Sequence, residues 1–103
     1  MIILKRGESY PIFFDIKQDG ITLTPDMIQD LEIHIGEFFR KSYLGGGVFY
    51  SADRGRWYIF PTTMETSSFE NGIFSVCAHI IYQNGETYIE TAGRIIVRGC
   101  ADA

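Results

Sequence analysis

The chain has 103 residues, 46% of them hydrophobic and 21% charged, with a formal net charge of −4. Such a length holds one domain over residues 1–103. Size scaling gives it a folded surface of about 5,900 Å² against about 17,000 Å² unfolded, enough for a core without staples. The acidic balance without a Lys/Arg run excludes a nucleic-acid partner, and the apolar runs are too short to span a membrane, so a soluble product is expected.

In chain order, Met1-Ile2-Ile3-Leu4 is too short for a signal-peptide core and reads as a first strand, with Ile2, Ile3 and Leu4 as a candidate sheet edge. Period-two alternation from Tyr10 to Ile16 places Tyr10, Ile12, Phe14 and Ile16 on one face and Pro11, Phe13 and Asp15 on the other. Pro11 cannot donate a ladder bond and marks an edge or a strand start. Asp19-Gly20 is a turn. Thr24-Pro25-Asp26 has the cap hydroxyl, Pro and acid that begin a short helical turn. Leu31 to Ile35 alternates again, with Glu32 and His34 outward. Gly45-Gly46-Gly47 leads into strand residues rather than a helix, so a flexible hairpin connection is expected there instead of a phosphate cradle. Further strands cover Val48 to Tyr50 and Arg56 to Phe60, and Thr62 to Glu65 fits a capping box.

The last third contains two long β-runs, Ile73 to Tyr82 and Glu86 to Arg98, joined at Asn84-Gly85. Asn-Gly suits a two-residue type I′ turn, whose twist matches the strands it joins. That register sets His79 opposite Glu90 and Cys77 opposite Ala92. Cys100 then lies too far along the chain to bridge Cys77, and two reduced thiols are expected. His79, Glu90 and Cys77 share one face, which His34 joins only if its strand is adjacent. Their spacing follows no zinc pattern, so the reading is an ordinary cross-strand His–Glu pair. Neither a Gly-x-Ser-x-Gly elbow nor any other catalytic arrangement occurs. No catalytic residue, cofactor site or metal site is expected.

The chain is rich in aromatics at 15%. Phe13, Phe38, Phe39, Tyr43, Trp57, Tyr58 and Tyr88 exceed what an alternating sheet can bury, and with Ile2, Ile3 and Leu4 they form the candidate partner-contact set. About seven short strands with one or two helical turns predict an all-β, immunoglobulin-like antiparallel sandwich.

The order of features resembles small immunoglobulin-like structural proteins of tailed phages and prophages, and is similar to the N-terminal domain of upper baseplate proteins. The resemblance rests on Leu4-Lys5-Arg6-Gly7-Glu8-Ser9, Lys17-Gln18-Asp19-Gly20 and Leu23-Thr24-Pro25-Asp26-Met27-Ile28 leading into Leu31–Gly36. Gly55-Arg56-Trp57-Tyr58 leading into Phe60-Pro61-Thr62, Asn71-Gly72, Asn84-Gly85 and the final Ile95-Ile96-Val97 run complete it. It implies a non-enzymatic assembly piece of a tail or baseplate. Synthesis would be in the bacterial cytoplasm, with a virion as a destination and other phage structural proteins or a second copy as partners. The alternative from another class is a carbohydrate-binding module that stacks sugars on Trp57, Tyr58 or Tyr43.

Overall fold

The computed structural model describes residues 2–99. In chain order the strands are β1 (Ile2–Lys5), β2 (Ile12–Phe14), β3 (Lys17–Gln18), β4 (Ile21–Thr22), β5 (Ile28–Ile35), β6 (Phe39–Ser42), β7 (Val48–Ser51), β8 (Arg56–Ile59), β9 (Gly72–Tyr82) and β10 (Thr87–Arg98). A 3-10 turn at Pro25–Met27 precedes β5, and helix α1 (Thr63–Ser67) follows β8. The protein is all-β. β1-β10-β9-β5-β6 form a five-stranded sheet, β2-β8-β7 a three-stranded sheet and β3-β4 a small ribbon.

Alternation explains the core. In β5, Leu31, Ile33 and Ile35 are buried, and Val76, Ala78 and Ile80 of β9 are buried beside them. From the smaller sheet come Ile12, Phe14, Val48, Trp57 and Ile59, and all of these join one apolar cluster. Two sheets thus turn their inner faces to a shared core, as period-two patterning requires. Trp57 is its largest fully buried side chain, and the indole Nε1 donates to the Leu23 carbonyl at 3.0 Å.

The strand inventory differs from the expected seven in two ways. β3, β4 and β6 are additional. The first two hold two residues each, and β6 buries only Phe39, so none carries a legible alternation. β1 pairs with β10 in parallel, Ile2 against Ile95, which makes the large sheet mixed rather than antiparallel.

The turns correct the hairpin register. Gly85 N–H donates to the Tyr82 carbonyl and Tyr82 N–H to the Glu86 carbonyl, each at 2.9 Å, which closes a three-residue loop, Gln83-Asn84-Gly85. Gly85 has φ +90°, while Asp19 is the one described non-glycine residue at positive φ. The Asn84-Gly85 connection is therefore a type I turn with Gly85 in the left-handed position. The type I′ pattern falls instead at Asp19-Gly20, with φ 53° and 78° between β3 and β4. The one-residue difference moves His79 opposite Ile89, Glu90 opposite Ala78 and Cys77 opposite Thr91. A bulge between Thr91 and Gly93 then shifts the register back by one.

Two local expectations also change. Thr24 does not cap the 3-10 turn; its hydroxyl donates to the Asp26 carboxylate instead. The Gly45–Gly47 segment is not a hairpin connection, because it carries the chain from β6 in the large sheet to β7 in the small one. The capping box at α1 is present, with Glu65 N–H to Thr62 Oγ1 at 3.1 Å and Thr62 N–H to Glu65 Oε1 at 2.9 Å. No helix among the described residues is long and apolar enough to cross a membrane.

Candidate protein-contact surface

With Ile12 and Phe14 inward, Phe13 of β2 must point outward; the same logic turns Tyr58 of β8 and Phe49 of β7 outward. The registers Phe13↔Tyr58 and Phe49↔Tyr58 line the three up across the sheet. Their ring centroids are 5.0 Å apart for Phe13–Tyr58 and 5.2 Å for Phe49–Tyr58. The Arg54 guanidinium lies 4.4 Å from the Phe13 ring centroid, and that of Arg56 lies 5.8 Å away. Arg56 is neutralised by Asp15, Nε to Oδ1 at 3.0 Å, whereas Arg54 has no carboxylate partner among the described residues. The result is an aromatic ladder with a basic end.

The other end of the ladder opens into a cleft of about 200 Å³ lined by Phe39, Lys41, Phe49, Phe60, Thr62 and Glu65. Phe60 is 51% exposed and Phe49 39%. Lys41 Nζ meets Glu65 Oε2 at 2.7 Å, so the charges on this rim are paired. Burial raises the Glu65 pKa, but hydrogen bonds from Lys41 and Thr62 outweigh it and hold the carboxyl below its ordinary value.

The sequence-derived candidates separate cleanly. Leu4 and Trp57 are fully buried core residues, which removes them from any contact surface, and Phe39 is a core residue that shows only a margin of its ring in the floor of the cleft. Tyr43 is half-buried with its ring edge-on to Trp57, 5.4 Å between centroids. Phe38 is 44% exposed but sits away from the ladder, between Phe69 and Phe74. β1 is an edge strand: Ile2 packs on the core, and Ile3 is 54% exposed on the outer face. Tyr88, near the tip of β10, is exposed beside Tyr82. Phe13 and Tyr58 are thus the candidates that meet on an outward face, while Tyr43 and Trp57 meet at the core. Phe49 and Phe60 were not among them, although alternation from buried Val48 already turned Phe49 outward.

The histidine cluster is also rearranged. β5 lies next to β9, and His34 pairs with Cys77 and Glu32 with His79. The two imidazoles stack at 3.7 Å with 9° between planes, and His34 Nε2 lies 2.9 Å from Glu32 Oε1. The carboxylate partner of the cluster is therefore Glu32 rather than Glu90. No group of three or more His, Cys, Asp or Glu is placed to hold a metal ion among the described residues. Cys77 forms no disulfide, and the Cys100 half of that expectation lies outside the described residues.

Burial, then the neighbouring His34 and Arg40, lower the His79 pKa below its ordinary 6.5, with Glu32 opposing them. The folded state then binds this proton less readily than the unfolded chain. The associated stability is complete above about pH 6.5 and is lost as pH falls through the folded value. Urea unfolding between about pH 8 and about pH 5 should show stability falling on acidification, with a shallower fall in His79→Gln.

The Gly-rich connection has little left to offer an anion. Gly47 N–H donates to the Ser42 carbonyl, Gly46 N–H to the Tyr43 carbonyl, Gly45 N–H to Ser42 Oγ and Leu44 N–H to Asp30 Oδ1. A phosphate cradle needs those amides free.

The fold and this surface define the class: an all-β protein with an aromatic ladder on the outer face of its smaller sheet. In comparisons with known proteins, no family model matches the chain, and no curated protein or solved structure shows significant similarity to it.

Proposed function

We propose that the chain is a non-enzymatic assembly protein with an immunoglobulin-like sandwich architecture, of the kind found in phage tails and baseplates. In this reading its Phe13–Tyr58–Phe49 ladder docks a neighbouring protein subunit. The observation that carries it is the ladder itself: three aromatic side chains aligned across adjacent strands on an outward face, continued by exposed Phe60. Interface cores favour aromatics and Arg, and Arg54 at the ladder's end selects a partner with an acidic rim.

The carbohydrate alternative fits less well. Sugar stacking needs an open ring face. Trp57 has none, Tyr43 is packed against it, and Tyr58 is flanked on both sides by Phe13 and Phe49.

The test measures binding of the pure protein to itself and to the products of adjacent genes by light scattering and calorimetry. Tyr58→Ala and Phe49→Ala should each weaken the contact by about 2 kcal/mol, roughly 30-fold, in variants shown by circular dichroism to remain folded. Unaltered binding in both variants would sink the reading, as would the absence of any protein contact. Glycan binding lost in the same variants would favour the sugar module.

A further inference from the structure

A second cleft, of about 440 Å³, lies between two hairpin tips and is lined by Gln18, Asp19, Tyr82, Gln83, Asn84, Glu86 and Tyr88. Its volume falls within the range of small-molecule sites, roughly 300–1,000 Å³. Tyr82 and Tyr88 form a corner, with ring centroids 5.6 Å apart and planes at 80°. The Tyr82 hydroxyl donates to Gln18 Oε1, which ties the β9–β10 tip to the β3–β4 ribbon and fixes the cleft's two walls.

The charge on this cleft has one sign. Asp19 and Glu86 line it, and neither Lys nor Arg does. Glu86 is locked in place: Oε2 accepts from the Tyr88 hydroxyl at 2.8 Å and Oε1 from Asn84 Nδ2 at 2.6 Å. These two hydrogen bonds lower its pKa and keep it anionic. The Asp19 carboxylate makes no hydrogen bond or salt bridge among the described residues. The negative field reaches the phenols. Burial and then Asp19, Glu90 and Glu86 raise the Tyr82 pKa, and Glu86, through its hydrogen bond and its charge, leads the causes raising that of Tyr88.

Aromatic faces meeting at a corner, with carboxylates beside them, are the chemistry that recognises an organic cation. The ring quadrupoles attract the positive charge, and the carboxylates neutralise it without demanding directional donors. A carboxylate or phosphate would meet repulsion from Asp19 and Glu86 here. We propose that this cleft binds an alkylammonium group, the head of a lysine side chain or a methylated amine, in the Tyr82–Tyr88 corner against Asp19 and Glu86. This site is separate from the aromatic ladder and stands or falls independently of it.

The experiment is an amide-detected NMR titration of the full chain with choline, n-butylammonium and N-acetyl-lysine methylamide. The neutral choline analogue 3,3-dimethylbutan-1-ol serves as control. Saturable shifts at Gly85, Glu86 and Tyr88 are expected with the cations at millimolar concentrations, and at least about tenfold weaker binding with the neutral analogue. Asp19→Asn keeps a residue that tolerates positive φ, so the turn survives while the charge is removed. That variant should weaken binding by about tenfold, and the exposed Tyr88→Ala should abolish it. Comparable binding of the lysine derivative assigns the cation to a partner's side chain; preference for choline assigns it to a free methylated amine. Equal binding of the neutral analogue, shifts confined to other surfaces, or no saturation with any of the three cations would overturn the proposal.

Discussion

Trp57→Ala is expected to lower the unfolding free energy by about 3–5 kcal/mol, the range for deleting a fully buried aromatic. Trp57 has no exposed surface, and the rings of Tyr43 and Tyr50 pack against it at 5.4 and 5.0 Å. Its removal opens a cavity where the two sheets meet and takes away the donor to the Leu23 carbonyl, which anchors the segment after β4. A domain of this size has only about 5–15 kcal/mol in total, so the variant should lose a large share of its stability. Urea unfolding followed by circular dichroism measures the loss, since the single Trp is no longer available as a fluorophore. Trp57→Phe should lose less, because it keeps most of the apolar volume and removes the N–H donor. A loss below about 1 kcal/mol for Trp57→Ala would mean that the core is not organised around this side chain.

Thr66→Val should cost about 2 kcal/mol, with a fall in Tm of roughly 10 °C. Thr66 is the one buried polar residue among those described. Its hydroxyl accepts from Gly7 N–H at 3.0 Å and donates to the Glu8 carbonyl at 2.8 Å. Valine matches the shape but leaves both backbone groups unpaired in a partly buried site, and it is that desolvation penalty which dominates. Thr66→Ser restores the hydroxyl and should recover most of the loss, which separates hydrogen bonding from packing. Thermal unfolding of the three proteins side by side is sufficient; equal Tm values for Val and wild type would remove Thr66 from its role as a latch.

Local chemistry made much of this fold legible. Period two put Leu31, Ile33 and Ile35 inward and Glu32 and His34 outward, and the residue types at Thr62 and Glu65 specified their reciprocal cap. What stayed hidden was pairing. Asn-Gly supports either of two loop lengths, and the choice of the longer one displaced every partner up to Thr91. Nothing in Ile2-Ile3-Leu4 names Ile95 as the neighbour of Ile2, because a parallel, distant pairing leaves no turn signature. The ladder was half visible for the same reason. Outward placement of Phe13, Tyr58 and Phe49 follows from alternation, but their alignment depends on the registers of three strands. The tyrosine corner joins Tyr82 and Tyr88 to Asp19, far away in sequence, and could be seen only once the hairpin tips were placed.

The parallel joining of β1 to β10 also bears on the order of events during folding. β9 and β10 can zip early from their shared turn, since loop closure there is short. β1 is made first and has no partner until the last strand is complete, so on the ribosome it waits with Ile2, Ile3 and Leu4 uncovered. A pairing this distant in sequence slows folding and prolongs the life of an open edge. The strand that closes the large sheet is thus also the one most open to pairing with a neighbouring nascent chain, which makes the interval between synthesis of β1 and of β10 the one of greatest aggregation risk.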